Sequence, residues 1–171
     1  MDAYRLGIIA GILFVVAAAA VCIRKQTCNG PCRYDERQER VRGRGYKYGF
    51  LTMIIYNALM GGMYLDSMPD WCDLFAVNII GIAVSALIFA VYCIWNDAYM
   101  SFNESPRMVY LFILGIAAFN LFPGIMNLMH GTIVEEGKLT FRCSNIIMGF
   151  VFLISAAVFW LKNHIRAKGE E

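Results

Sequence analysis

The chain has 171 residues, 59% of them hydrophobic and only 16% charged, and its mean hydropathy is +0.55. A soluble domain of this size cannot hide so much apolar surface, so the excess must face lipid. The net charge of +2 is too small for the basic stripe of a nucleic-acid-binding domain, which excludes that class.

In chain order, Leu6 to Ile23 is an uncharged run of 18 residues, enough to cross a hydrocarbon core of roughly 30 Å at about 1.5 Å per residue. Ala17 to Ala20 also offers the small residues of a signal-peptide cleavage site. The dense basic cluster that follows resists translocation, however, so the run reads as a retained first span. A basic loop occupies residues 24–47. Four further runs follow: Tyr48 to Leu65, Leu74 to Ile94, Met108 to Met129 and Ile146 to Leu161. The last is the shortest; Cys143, Ser144 and Asn145 extend it toward the interface, and Lys162 can snorkel at its other end. The expected fold is an all-α integral membrane protein, a bundle of five transmembrane helices in one domain, with a short cytoplasmic helix and a small external β-hairpin.

The connections carry the local signals. Asn29-Gly30-Pro31 marks a turn, Asp35 and Gln38 have capping-box spacing, and Glu36 can pair with Arg40 at i,i+4, which predicts a short surface helix from about Asp35 to Arg42. Gly43-x-Gly45-x-x-x-Gly49 lacks the preceding strand of a phosphate loop and reads as a flexible approach to the second span. Asp70 with Asp73 can cap the third span, Ser105-Pro106 starts the fourth, and Gly131 can close it. In the loop 130–142, Thr132-Ile133-Val134 and Lys138 to Phe141 flank Glu135-Glu136-Gly137, a hairpin pattern.

Lys and Arg placement sets the expected orientation. Arg24, Lys25, Arg33, Arg37, Arg40, Arg42, Arg44 and Lys47 put the 24–47 loop in the cytoplasm. The acidic Asp66 to Asp73 connection belongs outside, Arg107 inside, the hairpin outside, and the tail 162–171, with Lys162, Arg166 and Lys168, inside. The N-terminus is thus expected outside and the C-terminus in the cytoplasm. Tyr46, Tyr48, Tyr92, Trp95 and Trp160 on one side, and Tyr64, Trp71 and Phe141 on the other, fall where aromatic belts are expected.

The stretch Tyr34-Asp35-Glu36-Arg37-Gln38, followed by Arg42-Gly43-Arg44-Gly45-Tyr46-Lys47-Tyr48-Gly49-Phe50, resembles a D-E-R-Q…R-G-x-G-Y/F-K-Y-G-F segment found before a transmembrane helix in small uncharacterised bacterial multi-pass membrane proteins. The resemblance is local. It implies a bacterial plasma membrane, and it brings no activity, cofactor or catalytic residue with it.

Several residue sets are candidates for function. Against eight cations the basic loop has only Asp35, Glu36 and Glu39. Arg37, Arg40, Arg42, Arg44 and Lys47 are therefore candidate contacts to anionic lipid headgroups, at about 1 kcal/mol per near-surface cation. Enforcement of topology alone also predicts such a cluster. The five apolar cores contain no Asp, Glu, Lys, Arg or His, which argues against a proton-coupled pump. Their polar groups are Asn57, Asn78, Asn120 and Asn127, and Pro123-Gly124 is expected to break the fourth span. These residues could line a polar cavity, the commoner alternative being hydrogen bonds between helices.

Cys28 and Cys32, with Cys22, fall short of a four-ligand zinc site and read as reduced cytoplasmic thiols. Met60, Met63, Met68, Met126, Met129 and His130 are soft ligands of the kind Cu(I) accepts, yet methionine is also ordinary packing material. No metal or cofactor is expected. Gly7-x-x-x-Gly11 and Gly81-x-x-x-Ser85 permit close helix approach, within the bundle, in a homo-oligomer or against another membrane protein. Cys72 and Cys143, at the outer starts of the third and fifth spans, are a candidate disulfide if those spans are adjacent; two free thiols are the alternative.

No nucleophile with its base, H-E-x-x-H or P-loop pattern occurs. The expected function is that of a small non-enzymatic membrane protein, an accessory, scaffold or regulatory subunit. The alternative is a small-molecule or ion permease working as an oligomer through the broken fourth span.

Overall fold

The computed structural model describes residues 34–66, 71–101 and 104–169. The expected first span, Gly7, Gly11, Cys22, Cys28, Cys32, Met68 and Asp70 lie outside them. Tyr34–Met100 and the chain from Glu104 onward form one compact unit. Its elements in chain order are α1 (Glu36–Asp66), α2 (Leu74–Trp95), α3 (Pro106–Met129), the strands β1 (Val134–Glu135) and β2 (Lys138–Leu139), a 3-10 turn (Phe141–Cys143) and α4 (Ser144–Gly169).

Among the described residues, three helical stretches are long and apolar enough to cross a membrane: Leu74–Trp95, Pro106–Met129 and Phe141–Arg166. At about 1.5 Å per residue, the 22 residues of α2 match a core of roughly 30 Å. Their apolar residues point outward as well as inward. Phe112, Phe119 and Phe122 on α3 are 68%, 81% and 73% exposed, an arrangement stable only where lipid or another apolar surface covers it. This is the character of a membrane-embedded protein.

The expected surface helix and second span are one continuous helix, α1, of 31 residues and about 46 Å. Its start has the predicted capping box: the Arg37 amide donates to Asp35 Oδ1, and the Asp35 amide donates to Gln38 Oε1 at 3.2 Å. Tertiary contact explains why the glycines that follow do not end it. Gly45 and Gly49 are buried against α2, where a Cβ would stand 3.0 Å from Cys93 Sγ and 3.1 Å from Ser85 O respectively. What reads locally as a flexible approach is therefore a small-x-x-x-small helix interface. The interface continues through Tyr56, whose hydroxyl donates to Val77 O at 2.7 Å, and whose ring occupies the space a Cβ on Gly81 would need. Tyr46 stacks on Phe89 with ring centroids 4.4 Å apart.

The main helix contacts run α1 to α2, α2 to α4, and α4 to α3, so among the described residues the helices form a row and not a closed bundle. Between α3 and α4 the backbones nearly touch. A Cβ on Gly124 would lie 2.8 Å from Ile146 N, and one on Gly149 would lie 2.6 Å from Leu121 Cδ2. Pro123 does not break α3, which runs unbroken from Pro106 to Met129; a proline removes one ladder donor, and the packed neighbour holds the remaining turns in place. Gly131, at φ 67°, closes α3 as expected. The Gly131 amide donates to Leu128 O and the Thr132 amide to Asn127 O, the paired bonds of a Schellman stop. α4 begins at Ser144 and runs on through Lys162 to Gly169, so most of the expected tail is helix.

The glycines of α1 and α2 make a sharp prediction. Around Gly43 there is no atom within 4 Å of an added Cβ, so Gly43→Ala should leave packing intact and stabilise the helix by about 0.5–1 kcal/mol. Gly81→Ala must displace the Tyr56 ring, whose carbon would be 2.5 Å away, and should lower the thermal unfolding midpoint in detergent. Equal midpoints for the two variants would contradict the interface.

Candidate functional site

The hairpin end of the unit is organised by one carboxylate. Asp73 caps α2 by accepting from the Ala76 amide at 2.6 Å through Oδ1, and its Oδ2 accepts from the Phe141 amide at 2.8 Å, at the start of the 3-10 turn leading into α4. One side chain thus satisfies amides at two helix starts, where unpaired N–H groups and the helix dipole both favour an anion. Around it, the Asp73 amide donates to Leu139 O at 2.9 Å and the Leu139 amide to Trp71 O at 2.8 Å. The segment before α2 is thereby stitched to the hairpin.

The hairpin itself pairs Val134 with Leu139 and Glu135 with Lys138. Its two-residue turn, Glu136-Gly137, has φ of 52° and 78°, the doubly positive geometry of a type I′ turn. Thr140 ties its base: its hydroxyl donates to Thr132 O at 2.9 Å, and its amide donates to Ile133 O at 2.8 Å.

Cys72 and Cys143 come together here. Both are buried free thiols in one apolar cluster with Ala76, Val77 and Ile133. Burial pushes the Cys72 thiol above its ordinary range, and the neighbouring Cys143 and Asp73 add to the shift. The neutral thiol is therefore the form that the fold favours. What Cys72 contributes to stability is complete below the ordinary thiol pKa and is lost as pH rises through the raised value.

At the opposite end, α2 stops in a second Schellman arrangement, with the Asp97 amide on Ile94 O and the Ala98 amide on Cys93 O. Asp97 takes the left-handed position at φ 55°. Two other helices grip this corner. Gln38 Nε2 of α1 donates to Asp97 O at 2.8 Å, and Lys162 Nζ of α4 donates to Trp95 O at 2.6 Å while standing 3.2 Å from Asp97 Oδ2. Lys162, expected to snorkel at the end of the fifth span, there caps the carbonyl end of α2, where a cation complements the dipole.

The basic residues of α1 divide into two groups. Arg37, Arg40, Arg44 and Lys47 recur at i, i+3, i+7 and i+10, within about 80° of one another on the helix, and all four are exposed. Gly45 and Gly49 face the opposite way, into α2. Arg42 does not belong to the stripe: it is half-buried and its guanidinium lies 4.0 Å from the Tyr34 ring centroid, a cation–π contact. The Arg40–Glu36 pair spans 4.0 Å between exposed groups and contributes little.

The expected polar cavity does not assemble from its residues. Asn57, Asn78 and Asn120 each donate to the carbonyl four residues back, on Met53, Leu74 and Ile116, at 2.8, 2.7 and 2.9 Å. An amide that donates to its own helix has one of its N–H groups satisfied without a neighbouring helix. Asn127 Nδ2 reaches Arg142 O at 3.5 Å, and its backbone oxygen accepts from the Thr132 hydroxyl. Pro123 is partly buried in the unbroken α3. Of the described methionines, Met60 packs on the apolar cluster, whereas Met63, Met126 and Met129 are exposed. Among the described residues, no group of three or more His, Cys, Asp or Glu could hold a metal ion.

Sequence reasoning missed the second role of Asp73, the Gln38–Asp97–Lys162 corner and the division of the basic residues. The last was available in principle from the 37, 40, 44, 47 spacing, once α1 is one helix. Comparison with known families, with curated proteins and with solved structures finds no match.

Asp73 gives the prediction. Asp73→Ala removes two amide acceptors and should cost about 1–2 kcal/mol for the α2 cap alone, seen as a lower unfolding midpoint and faster proteolysis within the hairpin. Asp73→Asn keeps one acceptor oxygen and should retain part of the effect. An unchanged midpoint in Asp73→Ala would show the clasp to be dispensable.

Proposed function

We propose that this chain is a five-span protein of the bacterial plasma membrane, N-terminus outside and C-terminus in the cytoplasm, acting as a non-enzymatic accessory, scaffold or regulatory subunit. The observation that supports it best is the geometry of α1. The expected second span and its flanking basic segment are one continuous helix, so on this reading the cation stripe projects from the bilayer on the face turned away from α2. Taking Tyr48 as the start of the span, Arg44 and Lys47 stand within about 6 Å of the hydrocarbon edge, inside the headgroup layer. Arg37 and Arg40 reach about 12–17 Å from that edge, beyond the headgroups, where a polar partner can meet them. The outward apolar face of α3, at the end of the row, offers a second surface for a neighbouring membrane helix or a second copy of this chain. The permease alternative rests on a break in the fourth span that α3 does not have, and a liposome flux assay with Asn120 and Asn127 variants tests it directly.

Two measurements check this reading. Cys28 and Cys32 should resist an impermeant thiol reagent in intact cells while a Glu136→Cys turn is labelled, and the reverse pattern would invert the orientation. In native mass spectrometry with added phosphatidylglycerol, Arg44→Gln/Lys47→Gln should retain fewer anionic lipids, whereas Arg42→Gln should retain them all. Mild-detergent purification should yield a stoichiometric partner or second copy that Arg37→Gln/Arg40→Gln weakens; isolation of a bare monomer would refute the subunit role.

A further inference from the structure

The buried thiols at the hairpin end stand on either side of one clasp. Cys72 lies in the segment before α2, bridged to Leu139 of β2, and Cys143 ends the 3-10 turn whose first amide, on Phe141, is held by Asp73. Cys72 is thus one residue from the carboxylate of the clasp, and Cys143 two residues from its amide. The sulfur-bearing residues are 5% and 2% exposed and share one packed cluster. The start of α2 and the start of α4 are adjacent, which brings these two positions into one packed cluster.

We propose that Cys72 and Cys143 are a redox pair, which a small disulfide oxidant converts to an intramolecular disulfide that fastens the hairpin and the start of α4 to the start of α2. One cysteine thiolate attacks the external disulfide, forming a mixed disulfide and releasing one small thiolate. The second cysteine attacks the protein sulfur of that mixed disulfide, forming the Cys72–Cys143 bond and releasing the other small thiolate. Two protein thiols are oxidised, one external disulfide is reduced, and the two protons pass to the departing thiolates.

Burial sets the pace of this exchange. The thiolate is the nucleophile, and both sulfurs are covered while the clasp is closed, so the reaction passes through a state in which the hairpin lifts from α2. Loosening Asp73 should therefore accelerate it. The proposed orientation adds only that the pair would meet the more oxidising side of the membrane; the contact between the cysteines does not depend on it.

The test uses the purified full-length protein in detergent, incubated with oxidised glutathione, quenched by alkylation and mapped by mass spectrometry. In wild type, the Cys72 and Cys143 peptides should become joined with the loss of two hydrogen atoms, reversibly by dithiothreitol. Asp73→Asn should form the same link faster. Cys72→Ser and Cys143→Ser should each leave the remaining thiol as a glutathione adduct. If wild type and Asp73→Asn both stay unlinked, or if either cysteine joins Cys93 or another cysteine in preference, the proposal is overturned. Because glutathione reaches both faces of the solubilised protein, a failure here is separate from a failure of the proposed orientation.

Discussion

A helix end leaves amides without partners, and apolar surroundings supply no water to satisfy them. At the hairpin end one carboxylate solves this problem twice. Asp73 accepts from Ala76 with one oxygen and from Phe141 with the other, which places the starts of α2 and α4 side by side. Much else follows from that adjacency. α2 and α4 pack along their lengths, the hairpin is held down through Leu139, and Cys72 meets Cys143. The hairpin has only two residues per strand, too little to stand alone, and owes its place to these bonds.

The far end uses different chemistry for the same purpose. Carbonyls are the unsatisfied groups there, and a cation and an amide meet them: Lys162 on Trp95 O and Gln38 on Asp97 O. Asp97 adopts a backbone conformation usually left to glycine, and its neighbours explain how that is sustained: its carbonyl and its carboxylate are each held by a different helix. α1, α2 and α4 are therefore registered at this corner independently of the hairpin. Between these ends, small residues and the aromatic rings that fit against them join the helices.

That economy is clearest along α1. Gly49 lets the backbone of α2 approach at Ser85 O, while Gly45 and Gly81 make room for side chains of the facing helix, where the apolar effect gives little preference between lipid and a neighbouring helix. Turning the glycine face inward turns Arg37, Arg40, Arg44 and Lys47 outward. The exposed charge stripe is thus a consequence of how α1 packs, and Arg42, on the packed side, is withdrawn from it onto Tyr34.

The sequence by itself determined the bounds of α2 and α3 to within a few residues, the caps at Asp35, Asp73 and Gly131, and a hairpin turning about Glu135 to Gly137. These depend on composition and on bonds between residues close along the chain. Only the tertiary structure decided that the helices lie in a row with α2 beside α4, and that Gly45 and Gly49 continue a helix where local propensity suggests a flexible approach. It likewise decided that Pro123 leaves α3 whole and that Lys162 caps α2. Local signals cannot report contacts made across 60 or more residues: the partners of Asp73 and Lys162 are 68 and 67 positions away. The asparagines show the converse. Their polar character was plain, but whether each would reach a neighbour or its own helix depended on which atoms stood within hydrogen-bond range, and that is a property of packing.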